Sequence, residues 1–463
     1  MKKNSFYGKI LLFILVVSTT IIISTSSCKP KKESLQEPYK VVHNEWVYNS
    51  TIYEVNVRQY TPEGTFKAFE SHLPRLKELG VDIIWFMPIH PIGEVNRKGS
   101  LGSYYSVKDY LGVNPEFGTL EDFKIVVAKA HGLGMKVIID WVANHTSHDA
   151  ILINEHPDWY VRDSTGKVIS PFDWSDVAKL DYTKMELRQY IVDAMKFWIK
   201  DAGIDGFRCD VAAEVPTDFW NDARKQLDEI KPVFMLAEAE KPEMQQYAFD
   251  ADYGWEFHHI MNQIAQGKMN VNNLEKYLLK NISEYPKNTN KLNFITNHDE
   301  NSWNGTEFER MGESVKTFAA LSFVMPGMPL IYSGQEVGFN RRLKFFDKDQ
   351  INWNDSLGLT PFYKKLVELK KSNSVLAAGD KGADIFRIKS TNDSCIFAFT
   401  RKNEVEKLLA VFNLSSNEQK VSFEGDDYPD SFTNYMTGES KVFIKGEIIT
   451  LKPWEFHIFI KNK

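Results

Sequence analysis

The chain predicts an α/β protein: a closed parallel barrel of eight strands with intervening helices, then a smaller antiparallel β domain. Three observations predict it. From Thr51 to about Asn373, short apolar runs alternate with helical patterns. Many of those runs are continuous rather than alternating, as expected of strands buried on both faces. From about Ser374 the rhythm changes to short alternating segments parted by turn residues, which predicts an antiparallel sandwich.

The expected barrel strands are Thr51–Arg58, Val81–Ile89, Lys136–Val142, Ile204–Cys209, Pro232–Ala237, Phe249–Tyr253, Lys291–Thr296 and Met328–Tyr332. Helical spacing covers Thr65–Leu79, stopped by Gly80, and Leu120–Leu133, stopped by Gly134. It recurs over Met185–Ala202 and Glu309–Met325. Thr146 to Lys184 breaks the rhythm: it is rich in His, Asp, Trp and Pro and lacks a helical period. In the last domain the expected strands are Asp384–Ile388, Cys395–Thr400, Lys407–Asn413, Lys420–Phe423, Lys441–Ile444 and Phe456–Ile460.

Bulk properties narrow the function. The 463 residues suffice for a large barrel plus a smaller domain, and the net charge of −6 excludes the basic surplus a nucleic-acid binder needs. The N-terminus reads as an export signal. Met1-Lys-Lys is basic, Ile10 to Ile23 is almost wholly apolar, and Ser24-Thr-Ser-Ser-Cys28 follows. The apolar stretch is shorter than the roughly 20 residues of a spanning helix. Lys29 to Tyr39 is polar with prolines and reads as a tether. Cys209 and Cys395 lie far apart in the expected fold, so neither a disulfide nor a cysteine metal site is expected.

Polar residues collect where buried strands should end: Asp140-Trp-Val-Ala-Asn-His145, Gly206-Phe-Arg-Cys-Asp210, Ala237-Glu238 and Phe294-Ile-Thr-Asn-His-Asp299. Charge is costly inside such a sheet, so carboxylates at strand C-termini mark a candidate site. In order and spacing the four stretches resemble the signature regions of the α-amylase family of glycoside hydrolases, a likeness that runs from about Ser50 to the C-terminus. Gly80-Val-Asp-Ile-Ile-Trp-Phe-Met-Pro88 and Gly327-Met-Pro-Leu-Ile-Tyr-Ser-Gly-Gln-Glu336 resemble that family's second and last barrel strands.

The resemblance implies a (β/α)8 TIM barrel over 46–373, with a short domain B insertion after strand 3 at about 146–184. A C-terminal antiparallel β-sandwich would span 374–463; separately, Cys28 resembles the lipidation site of bacterial lipoproteins, so a lipoprotein-type signal 1–28 ending at a lipidated Cys28 and a tether 29–45 are expected. It implies Asp210 as nucleophile, Glu238 as acid/base and Asp299 as the third carboxylate. Arg208, two residues before Asp210, points to the same side on a strand and would keep it ionised and orient it. Burial at the end of Val233–Leu236 would raise the pKa of Glu238, as an acid requires. Glu240 stands where the family usually has Trp and is a rival acid. His145, Asn297 and His298 are implied sugar contacts, Asp140 a support for Arg208, and Tyr105 a ring under the same sugar.

No cofactor is expected for the chemistry. Asn144 matches a structural-calcium ligand of many members, although Ala213-Glu214 replaces the family's Lys-His and domain B is short. The expected activity is a retaining hydrolase of α-glucosidic, chiefly α-1,4, bonds in starch or maltodextrins. The alternatives are a transglycosylase or α-1,6-cutting member, and a non-catalytic glucan-binding lipoprotein. The expected partners are an α-glucan and, through the lipid, a bacterial membrane, with the periplasmic face favoured over the cell surface; the sequence leaves the oligomeric state open.

Overall fold

The computed structural model describes residues 41–462. Its barrel strands are β1 (Ile52–Val55), β2 (Ile83–Phe86), β3 (Lys136–Trp141), β4 (Gly206–Cys209), β5 (Phe234–Ala237), β6 (Ala251–Tyr253), β7 (Lys291–Asn293) and β8 (Met328–Tyr332). Each pairs in parallel with its neighbour in the chain, and β8 pairs back onto β1 to close the barrel. All eight expected strands form.

Side chains alternate along a strand. Ile52, Ile83, Ile138, Leu236, Leu292 and Leu330 belong to one buried cluster, which fills the barrel interior. Residues of the other parity, such as Tyr53, Ile84, Ile139, Phe207 and Met235, pack outward in the larger cluster shared with the helices. Stepping the inward set two residues onward reaches Glu54, Asp140 and Glu238, and on β4 Arg208 and Asp210. The register sets Asp140 beside Arg208 and Arg208 beside Leu236. The wall is tight here: a Cβ on Gly206 would stand 1.8 Å from the Phe234 carbonyl oxygen, so only glycine fits.

Most strands are shorter than expected, and three expected elements break or change type. The first strand stops at Val55, and Val57–Tyr60 turns helical, with Arg58 donating to the Gly102 carbonyl at 3.0 Å. The 65–79 helix is two helices, Phe66–Glu70 and Leu73–Leu79, because Pro74 supplies no N–H across the joint. The 309–325 helix divides at Gly312, whose φ is 55°. Within 146–184, a short helix at Ile151–Glu155 forms where none was expected, beside the antiparallel pair His145–Ser147 and Val177–Lys179.

The last domain is an antiparallel six-stranded sheet plus a two-stranded one. Ser431–Asn434 and Ile449–Leu451 add two strands to those expected. The buried Arg401 ties this domain to the barrel, donating to the Val324 carbonyl at 3.0 Å. Cys209 and Cys395 are both free thiols. Residues 1–28, including Cys28, and most of the tether lie outside the described residues.

Candidate active site

The C-terminal mouth of the barrel is organised around one guanidinium. Arg208 has a fully buried side chain. Its Nη1 donates to Asp140 Oδ1 and to Asp210 Oδ1, each at 2.9 Å. Its Nη2 lies 2.8 Å from Glu238 Oε1, an ion pair without hydrogen-bond alignment. Its Nε donates to the Tyr253 hydroxyl at 3.1 Å. One cation therefore serves three carboxylates from adjacent strands β3, β4 and β5.

The carboxylates differ in exposure. Asp140 is fully buried, Asp210 and Glu238 are 10% and 12% exposed, and Asp299 is 35% exposed. Asp140 is thus a support beneath the cleft, and the other three can meet a ligand. Burial pushes the Asp140 carboxyl up to about 6, against Arg208. Arg208 does not hold Asp210 low as expected: burial and then the charge of Glu238 push it well above the usual carboxylate range, outweighing the guanidinium.

Val211, directly after Asp210, is β-branched yet holds φ 35° and ψ 46°. Such backbone costs about 1–3 kcal/mol and persists only where surroundings enforce it. The conformation aims the Val211 N–H at Glu238 Oε2, 2.7 Å away.

The two histidines are electrostatic opposites. Burial pushes His298 down, but Asp299 and Glu54 outweigh it and raise it to about 9. Doubly protonated, it donates from Nδ1 to Glu54 Oε1 at 2.5 Å and from Nε2 to the Tyr105 hydroxyl at 2.7 Å. Tyr105 in turn donates to Asp140 Oδ2 at 3.1 Å and stacks on the His298 ring at 5.4 Å. His145 is lowered to about 4 by burial and is neutral at pH 7; Asn144 donates to its Nδ1 at 3.3 Å.

Asn297 is fully buried, and its Oδ1 accepts the Glu300 N–H at 2.8 Å, so it shapes the turn that presents Asp299. Glu240 faces elsewhere: it accepts the Glu256 N–H at 2.8 Å near the start of the Trp255–Ala265 helix and sits 3.4 Å from Lys291. These contacts lie outside the Arg208 cluster. Asn144, the implied calcium ligand, is buried beside His145. Its amide nitrogen faces the His145 ring, and among the described residues no group of three or more His, Cys, Asp or Glu could hold a metal.

Glu54, Trp85 and Tyr253 complete the site; Trp85 lies in the stretch that resembles the family's second barrel strand, and Glu54 and Tyr253 carry no motif. Trp85 Nε1 donates to Asp140 Oδ2 at 3.2 Å, and its ring lies 5.1 Å from the Arg208 guanidinium. Their one signal is a polar or amphipathic residue on the inward parity of an apolar strand.

A family model for the α-amylase catalytic domain matches residues 43–179 and 153–357. The chain belongs to the α-amylase family of glycoside hydrolases. A model of the α-amylase SusG C-terminal domain matches residues 396–456. The solved α-amylase of Lactobacillus plantarum superposes on this family member with a TM-score of 0.79 at 35% identity, covering 89% of this chain and 99% of that one. A maltogenic α-amylase of Thermotoga neapolitana gives 0.82 at 29% identity, covering 90% and 99%. The maltogenic α-amylase of Bacillus acidopullulyticus is 27% identical over 425 residues, 85% of this chain and 70% of that one. Neopullulanase 2 of Thermoactinomyces vulgaris is 26% identical over 444 residues, with the same two coverages.

Proposed function

We propose that the chain hydrolyses α-1,4-glucosidic bonds of starch or maltodextrins with retention of configuration. The carrying observation is the Arg208 cluster, with Asp210 and Glu238 on adjacent strand ends sharing one guanidinium. A retaining pair works at about 5–5.5 Å, an inverting pair at roughly 6.5–9.5 Å. Two carboxylates bridged by one flat cation favour the short class.

In this reading Arg208 holds Asp210 Oδ1 and leaves Oδ2 to attack the anomeric carbon. Glu238 protonates the departing oxygen, then takes a proton from the water that releases the glycosyl-Asp210 ester. Asp299, the most open of the four, would grip sugar hydroxyls, and neutral His145 and cationic His298 would bond the same sugar. A non-catalytic glucan-binding chain has no need of all three carboxylates.

A second reading, an α-1,6-cutting or transglycosylating member, has support in the neopullulanase relative. Product analysis on starch, pullulan and cyclodextrins separates the two. For the N-terminus we keep the sequence-based proposal of export and lipid attachment at Cys28, on the periplasmic face. The mechanism is tested by NMR of the first-formed product. An α-anomer is expected, and a β-anomer before mutarotation would overturn it.

A further inference from the structure

We infer that Trp303, with Phe345 and Phe346, forms a stacking platform for a second glucosyl unit of the substrate, on the side retained by Asp210. The inference deepens the α-glucan reading above and rests on it. Three observations carry it.

The first is ring continuity. Tyr105, stacked on His298, also stacks on Phe345 with centroids 6.1 Å apart and planes within 13°. Phe345 then meets Trp303 at 5.1 Å, and Phe346 meets Trp303 at 5.6 Å. An aromatic track thus runs outward from the reaction centre. The second is exposure. Trp303 is 51% exposed although the barrel buries Trp85, Trp141, Trp198 and Trp220 completely. An indole left open at the end of such a track gains little for the fold and offers a flat apolar face to a pyranose ring. The third is the backbone. Trp303 sits on a π-helical turn, Glu300–Asn304, directly after Asp299. Such turns are rare, and functional sites are where they concentrate.

The side follows from topology. Glu238 ends β5, so the leaving group lies toward that strand. The platform comes from the loops after β7 and β8 and meets Tyr105 from the loop after β2. It therefore lies across the mouth from Glu238, where the retained part of the glucan must extend.

The test compares fluoride release from α-glucosyl, α-maltosyl and α-maltotriosyl fluoride, which share one leaving group and differ only in the retained chain. Wild type is expected to gain kcat/KM as that chain lengthens. Trp303→Ala should reduce the ratio of maltosyl to glucosyl kcat/KM by roughly tenfold, while Trp303→Phe, which keeps a flat ring, should hold it within about threefold. A ratio unchanged in Trp303→Ala, or lost equally in Trp303→Phe, overturns the platform. Wild type that releases no fluoride from any of the three overturns the hydrolase reading instead.

Discussion

Two buried arginine–carboxylate clusters occupy opposite faces of the same barrel wall, and their charges are balanced in opposite ways. Outside the wall, Asp250 just before β6 accepts from Arg224 Nη1 at 2.6 Å, His43 Nδ1 at 2.7 Å and the Met235 N–H at 2.8 Å. Burial pushes this carboxyl up, but Arg224 and His43 outweigh it and hold it below its ordinary range. Inside the mouth, Arg208 alone meets Asp140, Asp210 and Glu238, and Asp210 is pushed up. In the first cluster two basic side chains, Arg224 and His43, meet two acids, Asp250 and Asp228, whereas in the second three acids share one guanidinium. The first is arranged for stability. The second stores electrostatic tension that a sugar cation in the transition state would relieve.

The comparison breaks most sharply at Asp210. Asp210→Asn should lower kcat on maltoheptaose by at least about 10⁴-fold, because the covalent step is gone. Its melting temperature should stay equal or rise, because one charge leaves a crowded site. Near-normal turnover, or a large loss of stability, would contradict the contrast.

Asp250→Ala should do the reverse. It leaves the buried Arg224 with Asp228 as its one carboxylate and removes the acceptor of His43 and of the Met235 N–H, and should cost about 3 kcal/mol in urea unfolding. Turnover per folded molecule should be unchanged. Wild-type stability in this variant would remove the structural role of the outer cluster.

How far the sequence discloses the two clusters differs as well. The inner one is legible because its carboxylates end apolar runs at C-terminal strand ends, where burial needs a reason. The outer one is not, because Asp250, Arg224 and His43 lie on separate elements with no spacing to relate them. Glu54 and Tyr253 escaped for the same reason, each a single residue inside a strand. The helix break at Pro74 was readable from proline chemistry, yet apolar periodicity alone carried the expected helix through it.

The smallest effect concerns pH. His298 faces Glu54, Asp299, Tyr105 and Arg208, and its pKa is about 9 in the fold against about 6.5 in an unfolded chain. Its stabilising share is therefore complete below about pH 6.5 and lost as pH rises through 9. His43 is also raised, so it contributes in the same sense. The melting temperature should fall between pH 6.5 and 9.5, and His298→Asn should make that fall shallower. An identical slope in the variant would contradict the charged state of His298.

The central claim is that Asp210 becomes covalently glycosylated while Glu238 handles protons. Glu238→Gln with α-maltosyl fluoride tests it directly, because fluoride departs without a strong acid while release of the ester lacks its base. Quenched protein should carry one maltosyl group, and peptide mass spectrometry should locate it on Asp210. A variant that turns over without any trapped sugar, or sugar attached at Asp299 or Glu240, would contradict the account.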